Sequence, residues 1–187
     1  MRSLRKPLAK IAFPALIALV ASCASLTATA ASREELDAHV REAVQNLYRY
    51  SPAAKELAEK ASGMLVFPNI IKAGLGVGGE FGEGALLVSG QTVAYYNIAS
   101  ASIGLQLGVQ EKSVAILFMT SESLAKFRES KGWKAGVDGS IAIATLGAGK
   151  SLDTETARKP IIGFVYSNKG LMYNLTLEGS KITRIEK

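Results

Sequence analysis

The sequence predicts an α+β fold in which a curved antiparallel sheet, or half-closed barrel, carries an N-terminal helical unit and one further helix. Two observations support this prediction. Capped helical patterns occupy residues 32–63, and from Met64 onward glycines and branched apolar residues alternate with the period of two that is typical of strands. The chain has 187 residues and is 48% hydrophobic, which suffices for one domain with its own core.

Two amphipathic helices are predicted at the start of this domain. Ser32 followed by Glu35 forms a capping box, and apolar residues then repeat at intervals of three and four, so the first helix should run to about Arg49. Ser51-Pro52 supplies a cap and a first helical residue for a second helix, which should close near Gly63.

Glycines define the faces of the predicted strands. Within LVFPNIIKAGLGVGGEFGEGALLV, residues 65–88, Gly74, Gly76 and Gly78 fall on one face of an extended strand because side chains alternate. A glycine face lets another backbone or a ligand approach closely. The segment SIGLQLGVQ, residues 102–110, places four apolar residues on one face: Ile103, Leu105, Leu107 and Val109.

Turn residues separate the remaining segments and predict hairpins, hence antiparallel pairing. One helix interrupts the strands from about Ser121 to Ser130, with Leu124 and Phe127 facing inward and Gly132 as its stop. Residues 150–160 are polar and form a predicted surface loop. The predicted turns are Ser89-Gly90, Asp138-Gly139, Asn168-Lys169-Gly170 and Glu178-Gly179-Ser180.

The first residues are typical of a bacterial secretory signal. A cationic start precedes an apolar core, Ile11 to Ala21, that is shorter than the roughly 20 residues of a spanning helix. Val20-Ala21-Ser22-Cys23 resembles a lipoprotein box with Cys23 acylated, whereas Ala28-Thr29-Ala30 offers an ordinary cleavage site. The predicted organisation is a signal at 1–22, a tether at 23–32 and a folded domain at 33–187. Cys23 is the only cysteine, so an internal disulfide is impossible.

The charge balance argues against nucleic acid as the partner. The net charge is +6, but four of the 22 cations precede Cys23 and no acid does. A chain that starts at Cys23 therefore has 18 cations against 16 acids, or +2, without the dense basic stripe of a nucleic-acid-binding protein.

No segment predicts catalysis, a cofactor or a metal. The stretch Ala144 to Ser151 lacks the first glycine of a phosphate-binding loop and leads into a polar segment rather than a helix. His39, the one histidine, has no partners at ligand spacing and is predicted to be a partly buried structural residue. Glu80 and Glu83 are predicted to lie on opposite faces, as turn or hairpin-edge acids rather than an acid–base pair.

Basic residues around the third helix predict a cationic patch. Lys126, Arg128, Lys131 and Lys134 lie close in sequence, with Trp133 as an amphipathic aromatic at the rim, and this composition suits a lipid headgroup interface. The alternative is a solvated helix end with Trp133 packed in a corner of the core. The pair Arg158-Lys159 forms a second, weaker candidate in a loop.

Three separated segments resemble the SYLF domain family over residues 34–187. They are IIKAGLGVGGEFGEGALLV, with Lys72 at the lysine of the family's KAGF segment, SIGLQLGVQEKSVAILFM, and YSNKGLMYNLTLEGSKI. The resemblance implies binding of phosphoinositides or other anionic lipids, actin binding in some eukaryotic members, and no catalysis. It also marks Lys72 as a lipid-binding candidate, with a buried structural ion pair as the alternative.

The function expected from these observations is that of a noncatalytic lipid-binding lipoprotein of the cell envelope. Acyl chains on Cys23 would anchor it to the outer membrane facing the periplasm, and phosphatidylglycerol or cardiolipin is the natural anionic lipid there. Cleavage near Ala30 would instead leave a soluble periplasmic protein. Export would separate the chain from actin. The alternative function is a tethered structural or protein-interaction module whose domain binds no headgroup.

Overall fold

The first two helices begin where the sequence places their caps. The computed structural model describes residues 31–146, 155–169, 177 and 179–187. Helix α1 spans Arg33–Tyr50 and helix α2 spans Pro52–Lys60. The hydroxyl of Ser32 accepts a hydrogen bond from the amide of Glu35 at 3.1 Å, and Ser51 caps α2 in the same way. Both predicted helices are confirmed, although α2 ends at Lys60 rather than near Gly63.

A single long hairpin forms the centre of the fold. Strand β1, Gly63–Val88, pairs antiparallel with strand β2, Gln91–Phe118, along nearly their whole lengths. The predicted turn at Ser89-Gly90 joins them, and both residues have positive φ, 51° and 76°. Two consecutive positive φ angles match the right-handed twist of the flanking strands.

The hairpin curls so that the second half of β1 returns over the first half. A Cβ atom added to Gly84 would lie 2.2 Å from the carbonyl oxygen of Val66, and one added to Gly82 would lie 2.7 Å from that of Asn69. Only glycine permits backbones to approach this closely. Close backbone approach thus occurs at Gly82 and Gly84, whereas the sequence predicts it for the glycine face of Gly74, Gly76 and Gly78.

Strand β2 also carries the rest of the sheet on the edge away from β1. Its first part, residues 95–99, pairs with β6, Lys181–Ile185, and its last part, residues 111–118, pairs with β5, Ile161–Lys169. Because β2 pairs with β6 along its first part and with β5 along its last part, the sheet opens into a half-barrel. The remaining described elements are α3, Ser121–Glu129, β3, Trp133–Lys134, β4, Ala142–Thr145, and a 3₁₀ turn, Thr156–Arg158.

Packing covers the inner face of this sheet and part of its outer face. The inner face holds the core, where the ring of Phe127 from α3 contacts the rings of Phe118 and Trp133. Part of the outer face is covered by α1, and the buried hydroxyl of Tyr166 donates a hydrogen bond at 3.0 Å to the carbonyl of Ala43 in that helix. Ser32–Lys187 forms one compact unit, and the predicted α+β class with a curved sheet is confirmed.

The structure departs from the predicted pairing in three places. Strand β4 pairs with β5 in parallel, since the chain between them crosses over instead of forming a hairpin. Asp138 and Gly139 belong to a turn, but this turn joins β3 and β4, which do not pair with each other. Lys169 continues β5 rather than forming a turn. Three predictions lie outside the described residues. They concern the turn at Gly170, the acylation of Cys23, and the shared face of the side chains of Ile103, Leu105 and Leu107.

Candidate functional site at the bend of the hairpin

Halfway along the hairpin, both strands bend sharply. We use "bend" for residues 70–82 of β1 and their partners 98–112 of β2. The pairing register shifts between Leu75 and Val77, and a Cβ added to Gly74 would lie 2.5 Å from the Cα of Gly78. Gly74 and Gly78 do share the inner face, as predicted, but the backbone that approaches Gly74 belongs to its own strand four residues later.

A group of polar side chains fills the inner face of the bend. The ammonium Nζ of Lys72 lies 3.3 Å from Oε1 of Glu80, and Nζ of Lys112 lies 2.9 Å from Oε2. Gln110 is the direct cross-strand partner of Lys72. We call these four residues the polar cluster; their exposed fractions range from 5% for Lys112 to 13% for the side chain of Lys72.

The polar cluster corrects one prediction and settles where Lys72 lies. Glu80 is a buried residue inside the curl rather than an acid at a turn or edge, because the returning half of β1 carries it against two lysines. Glu83 faces the opposite way, as predicted, and accepts a hydrogen bond from Lys187 at 2.7 Å. Lys72 lies in an ion pair with little exposure, as in the structural alternative, and its headgroup role remains a prediction.

The outer face of the bend is apolar and exposed. Val77 and Val109 are 68% and 71% exposed, and Phe81 is 53% exposed. These residues alternate with the members of the polar cluster, so the usual order of polar outside and apolar inside is reversed here. We call this surface the outer patch, and its described members are Ile71, Ala73, Val77, Phe81, Ala99, Ala101 and Val109.

Cations border the outer patch on the same face of the sheet. Phe81 pairs with Ala99, Ala99 pairs with Lys181, and Lys181 pairs with Lys134. Directly opposed residues of antiparallel strands project from the same face, so these four side chains form one row across β1, β2, β6 and β3. Lys134 and Lys181 are both exposed and face each other, and such like-charge pairs are destabilising unless an anion lies near them.

Two of the predicted cations of α3 lie away from this row. Lys126 is paired with Glu122 one turn earlier at 2.7 Å, and this contact lowers the pKa of Glu122. Arg128 is exposed on α3 near Tyr96; burial raises the pKa of the Tyr96 hydroxyl, and the positive charges of Arg184 and Arg128 oppose that rise. Lys131 is exposed and precedes Gly132, against which the side chain of Lys181 lies.

The single tryptophan belongs to the core. Trp133 is 2% exposed, and its ring meets Phe127 edge to face at a centroid distance of 5.7 Å. It pairs with Ile182, whose side chain is also buried, so β3 directs Trp133 inward and Lys134 outward. The ring therefore does not reach a surface, which agrees with the packed-corner alternative and not with a place at the rim of a headgroup interface.

A cleft of about 840 Å³ lies between α1 and the turn end of the hairpin. Four of its lining residues contact one another: Asp37 accepts hydrogen bonds from the hydroxyls of Thr92 and Tyr95, both at 3.0 Å, and Arg33 lies over the Tyr95 ring. Burial and the bond to Asp37 raise the pKa of Tyr95. This arrangement holds α1 on the sheet.

His39 is exposed on α1, contrary to the predicted partial burial, because it lies on the flank of the helix, beside the buried row that contains Leu36 and Val40. Within the part of the chain that the structure describes, no group of three acidic, histidine or cysteine side chains is placed to hold a metal ion. In the same residues, no helix is long and apolar enough to cross a membrane.

Residues 99–187 match the family model Ysc84, described as Las17-binding protein actin regulator. Over these residues the chain is similar to the Ysc84 family. The match confirms the resemblance to the SYLF domain that the sequence predicts. It covers a little under half of the chain and begins in β2, at Ala99. No curated protein matches the chain.

The Ysc84 segment contributes Gln110 and Lys112 to the polar cluster and Lys134 and Lys181 to the row of cations. Of these four residues, the sequence pattern predicts only Lys134 as a site residue, and it places Glu80 at a turn or hairpin edge. A signal for Lys112 was present: it shares its period-two face with Val114, Ile116 and Phe118, which are core residues. A lysine at a core-facing position indicates either a buried ion pair or a site.

Proposed function

We propose that the protein is a noncatalytic envelope lipoprotein whose domain binds the surface of an anionic membrane through the outer patch. The single observation that supports this proposal is the row Phe81, Ala99, Lys181 and Lys134. It joins exposed apolar side chains to exposed cations on one face. A membrane interface accepts apolar groups below the headgroups and cations at their level.

Charge favours a lipid surface over an apolar protein partner for this patch. Lys131, Lys134 and Lys181 lie together at its border without an ion pair among the described residues. Each cation near an anionic surface contributes about 1 kcal/mol. Val137, which is 76% exposed, follows Lys134 in the next turn and adds an apolar side chain at the border.

Acylation of Cys23 is the second part of the proposal. One acyl chain gives only marginal, reversible membrane binding, so a stable anchor needs several chains or a chain together with a cationic surface. The outer patch and its cations would supply that second attachment. Mass spectrometry of the membrane-extracted protein, with Cys23→Ala as the control, measures this part separately. An unmodified cysteine, or a mature chain that begins after Ala30, would refute it.

The vesicle test uses residues 24–187, which contain the whole compact unit but not the anchor. Co-sedimentation is measured on phosphatidylcholine vesicles, with and without phosphatidylglycerol or cardiolipin, at low and high salt. Binding is expected only to anionic vesicles and should weaken at high salt because exposed charges are screened. Absence of binding to every vesicle would contradict the proposal and would favour a tethered protein-interaction module instead.

Matched variants identify the surface. Phe81→Ser should weaken binding about tenfold or more, since it removes an inserted aromatic side chain. Tyr50→Ser is its control, because Tyr50 is an equally exposed aromatic (54%) at the end of α1. Lys134→Ala and Lys181→Ala should each weaken binding about fivefold, with the exposed Lys60→Ala as control. Equal effects of Phe81→Ser and Tyr50→Ser would exclude the outer patch as the contact surface.

A further inference from the structure

The polar cluster contains more positive charge and more hydrogen-bond donors than its own residues can satisfy. Two ammonium groups, of Lys72 and Lys112, share the one carboxylate of Glu80. Each ammonium carries three donors, and a buried charge without a full set of partners is costly. The excess is one positive charge in a region that is largely closed to water.

Gln110 adds a second and independent observation. Its side-chain amide nitrogen is buried, and among the described residues it has no hydrogen-bond acceptor. Most buried polar side-chain atoms have a partner, so a buried amide nitrogen without one requires a specific explanation. Gln110 is 9% exposed and lies directly across from Lys72, with Lys112 two residues further on the same face.

The strand register makes these donors converge. Lys72, Gln110 and Lys112 all project from the inner face of the bend, while Glu80 approaches from the returning half of β1. Oε2 of Glu80 also lacks a well-directed hydrogen bond among the described residues, although Lys112 Nζ lies 2.9 Å away. The ion pairs therefore do not exhaust the hydrogen-bonding capacity of the cluster.

We infer that the polar cluster is a binding site for one anionic oxygen group, a carboxylate or a phosphate. The anion would accept hydrogen bonds from Lys72, Lys112 and the amide of Gln110 and would balance the excess charge. Glu80 holds the two lysines apart and limits the site to a single anion. Lys72, the most exposed member, marks the side from which the anion enters. This site is on the opposite face from the outer patch, so it does not depend on membrane binding.

The side-chain amide of Gln110 provides a direct readout. Residues 24–187 are labelled with ¹⁵N, and the Gln110 amide signals are followed during titration with inorganic phosphate, octanoate and a short-chain phosphatidylglycerol below its micelle concentration. Sodium chloride at matched ionic strength is the control. A saturable shift with phosphate alone indicates that the site binds a free inorganic anion. A saturable shift with octanoate indicates a fatty carboxylate, and one with the short-chain phosphatidylglycerol indicates a lipid headgroup. If none of the three shifts the signals, the inference is wrong.

Gln110→Glu tests the same site without removing a lysine. The added carboxylate would take the place of the anion, so the variant should bind the effective probe at least tenfold more weakly and should melt at a higher temperature than the parent without ligand. Gln91→Glu, at an exposed position of the same hairpin, is the matched control and should change neither property. Unchanged probe binding in Gln110→Glu would overturn the inference, whether or not a lysine variant such as Lys112→Met folds.

Discussion

The base and the bend of the central hairpin are built from the same two strands but have opposite polarity. At the base, Leu65 and Phe67 of β1 face Val114 and Ile116 of β2 inside the core, and α1 covers the outer face. At the bend, the inner face holds the polar cluster and the outer face is apolar and exposed. Stability alone accounts for the base. It does not account for the bend, where the inner face buries charges and the outer face exposes apolar side chains, and for this reason we propose that the bend is the functional part of the fold.

The largest expected effect is at the polar cluster itself. Glu80→Gln leaves two buried lysines without a carboxylate, and breaking a buried ion pair costs about 3–5 kcal/mol of unfolding free energy. The measurement is urea unfolding followed by circular dichroism. Glu83→Gln is the matched control and should cost clearly less, because Glu83 pairs on the outer face with Lys187 and with no second cation among the described residues. Equal losses of unfolding free energy in the two variants would mean that Glu80 is no more buried in the fold than Glu83.

The second prediction compares apolar side chains at the base and at the bend. Leu65→Ala should lose about 2–5 kcal/mol, because Leu65 is fully buried and its truncation leaves a cavity. Val77→Ala at the bend should change the unfolding free energy by at most about 0.5 kcal/mol, because Val77 is 68% exposed. A large loss in Val77→Ala would show that something in the isolated domain covers the outer patch, and the contrast between the two regions would fail.

The third prediction concerns the curl that creates both regions. Gly84→Ala places a Cβ 2.2 Å from the backbone oxygen of Val66, so the two halves of β1 must separate, at a cost of about 1–3 kcal/mol or more. Gly79→Ala is the control, since its Cβ would be 3.4 Å from the nearest atom. If Gly84→Ala is as stable as Gly79→Ala, the two halves do not pack as closely as the curl requires.

The sequence predicts local features of this fold better than it predicts contacts between residues that are far apart along the chain. Caps at Ser32 and Ser51 and the turn at Ser89-Gly90 depend on neighbouring residues, and they are confirmed. Period two also places Glu80 and Glu83 on opposite faces, but it does not say which face is buried. That depends on how the hairpin curls, which brings Glu80 to Lys72 eight residues earlier and to Lys112 on the other strand.

The same limit explains the candidate surface residues. The cluster of basic residues in sequence correctly draws attention to Lys134, but sequence proximity also includes Trp133, which the alternation of β3 turns into the core. Lys181 lies 47 positions from Lys134 along the chain and becomes its neighbour only through strand pairing. Which side chains share a surface across four strands depends on the pairing register of those strands. A single sequence does not show the register between strands that are far apart along the chain.

The smallest expected effect tests how α1 covers the outer face of the base. Tyr166→Phe removes the hydrogen bond to Ala43 and should cost about 1 kcal/mol near neutral pH. Burial raises the pKa of Tyr166 above that of an unfolded tyrosine, so its stabilising contribution is complete below pH 10 and is lost as pH rises further. The stability gap between the parent and the variant should therefore narrow above pH 10. A gap that stays constant from pH 7 to 11 would mean that the hydroxyl is not buried beneath α1, and the base would then resemble the bend in leaving its outer face open.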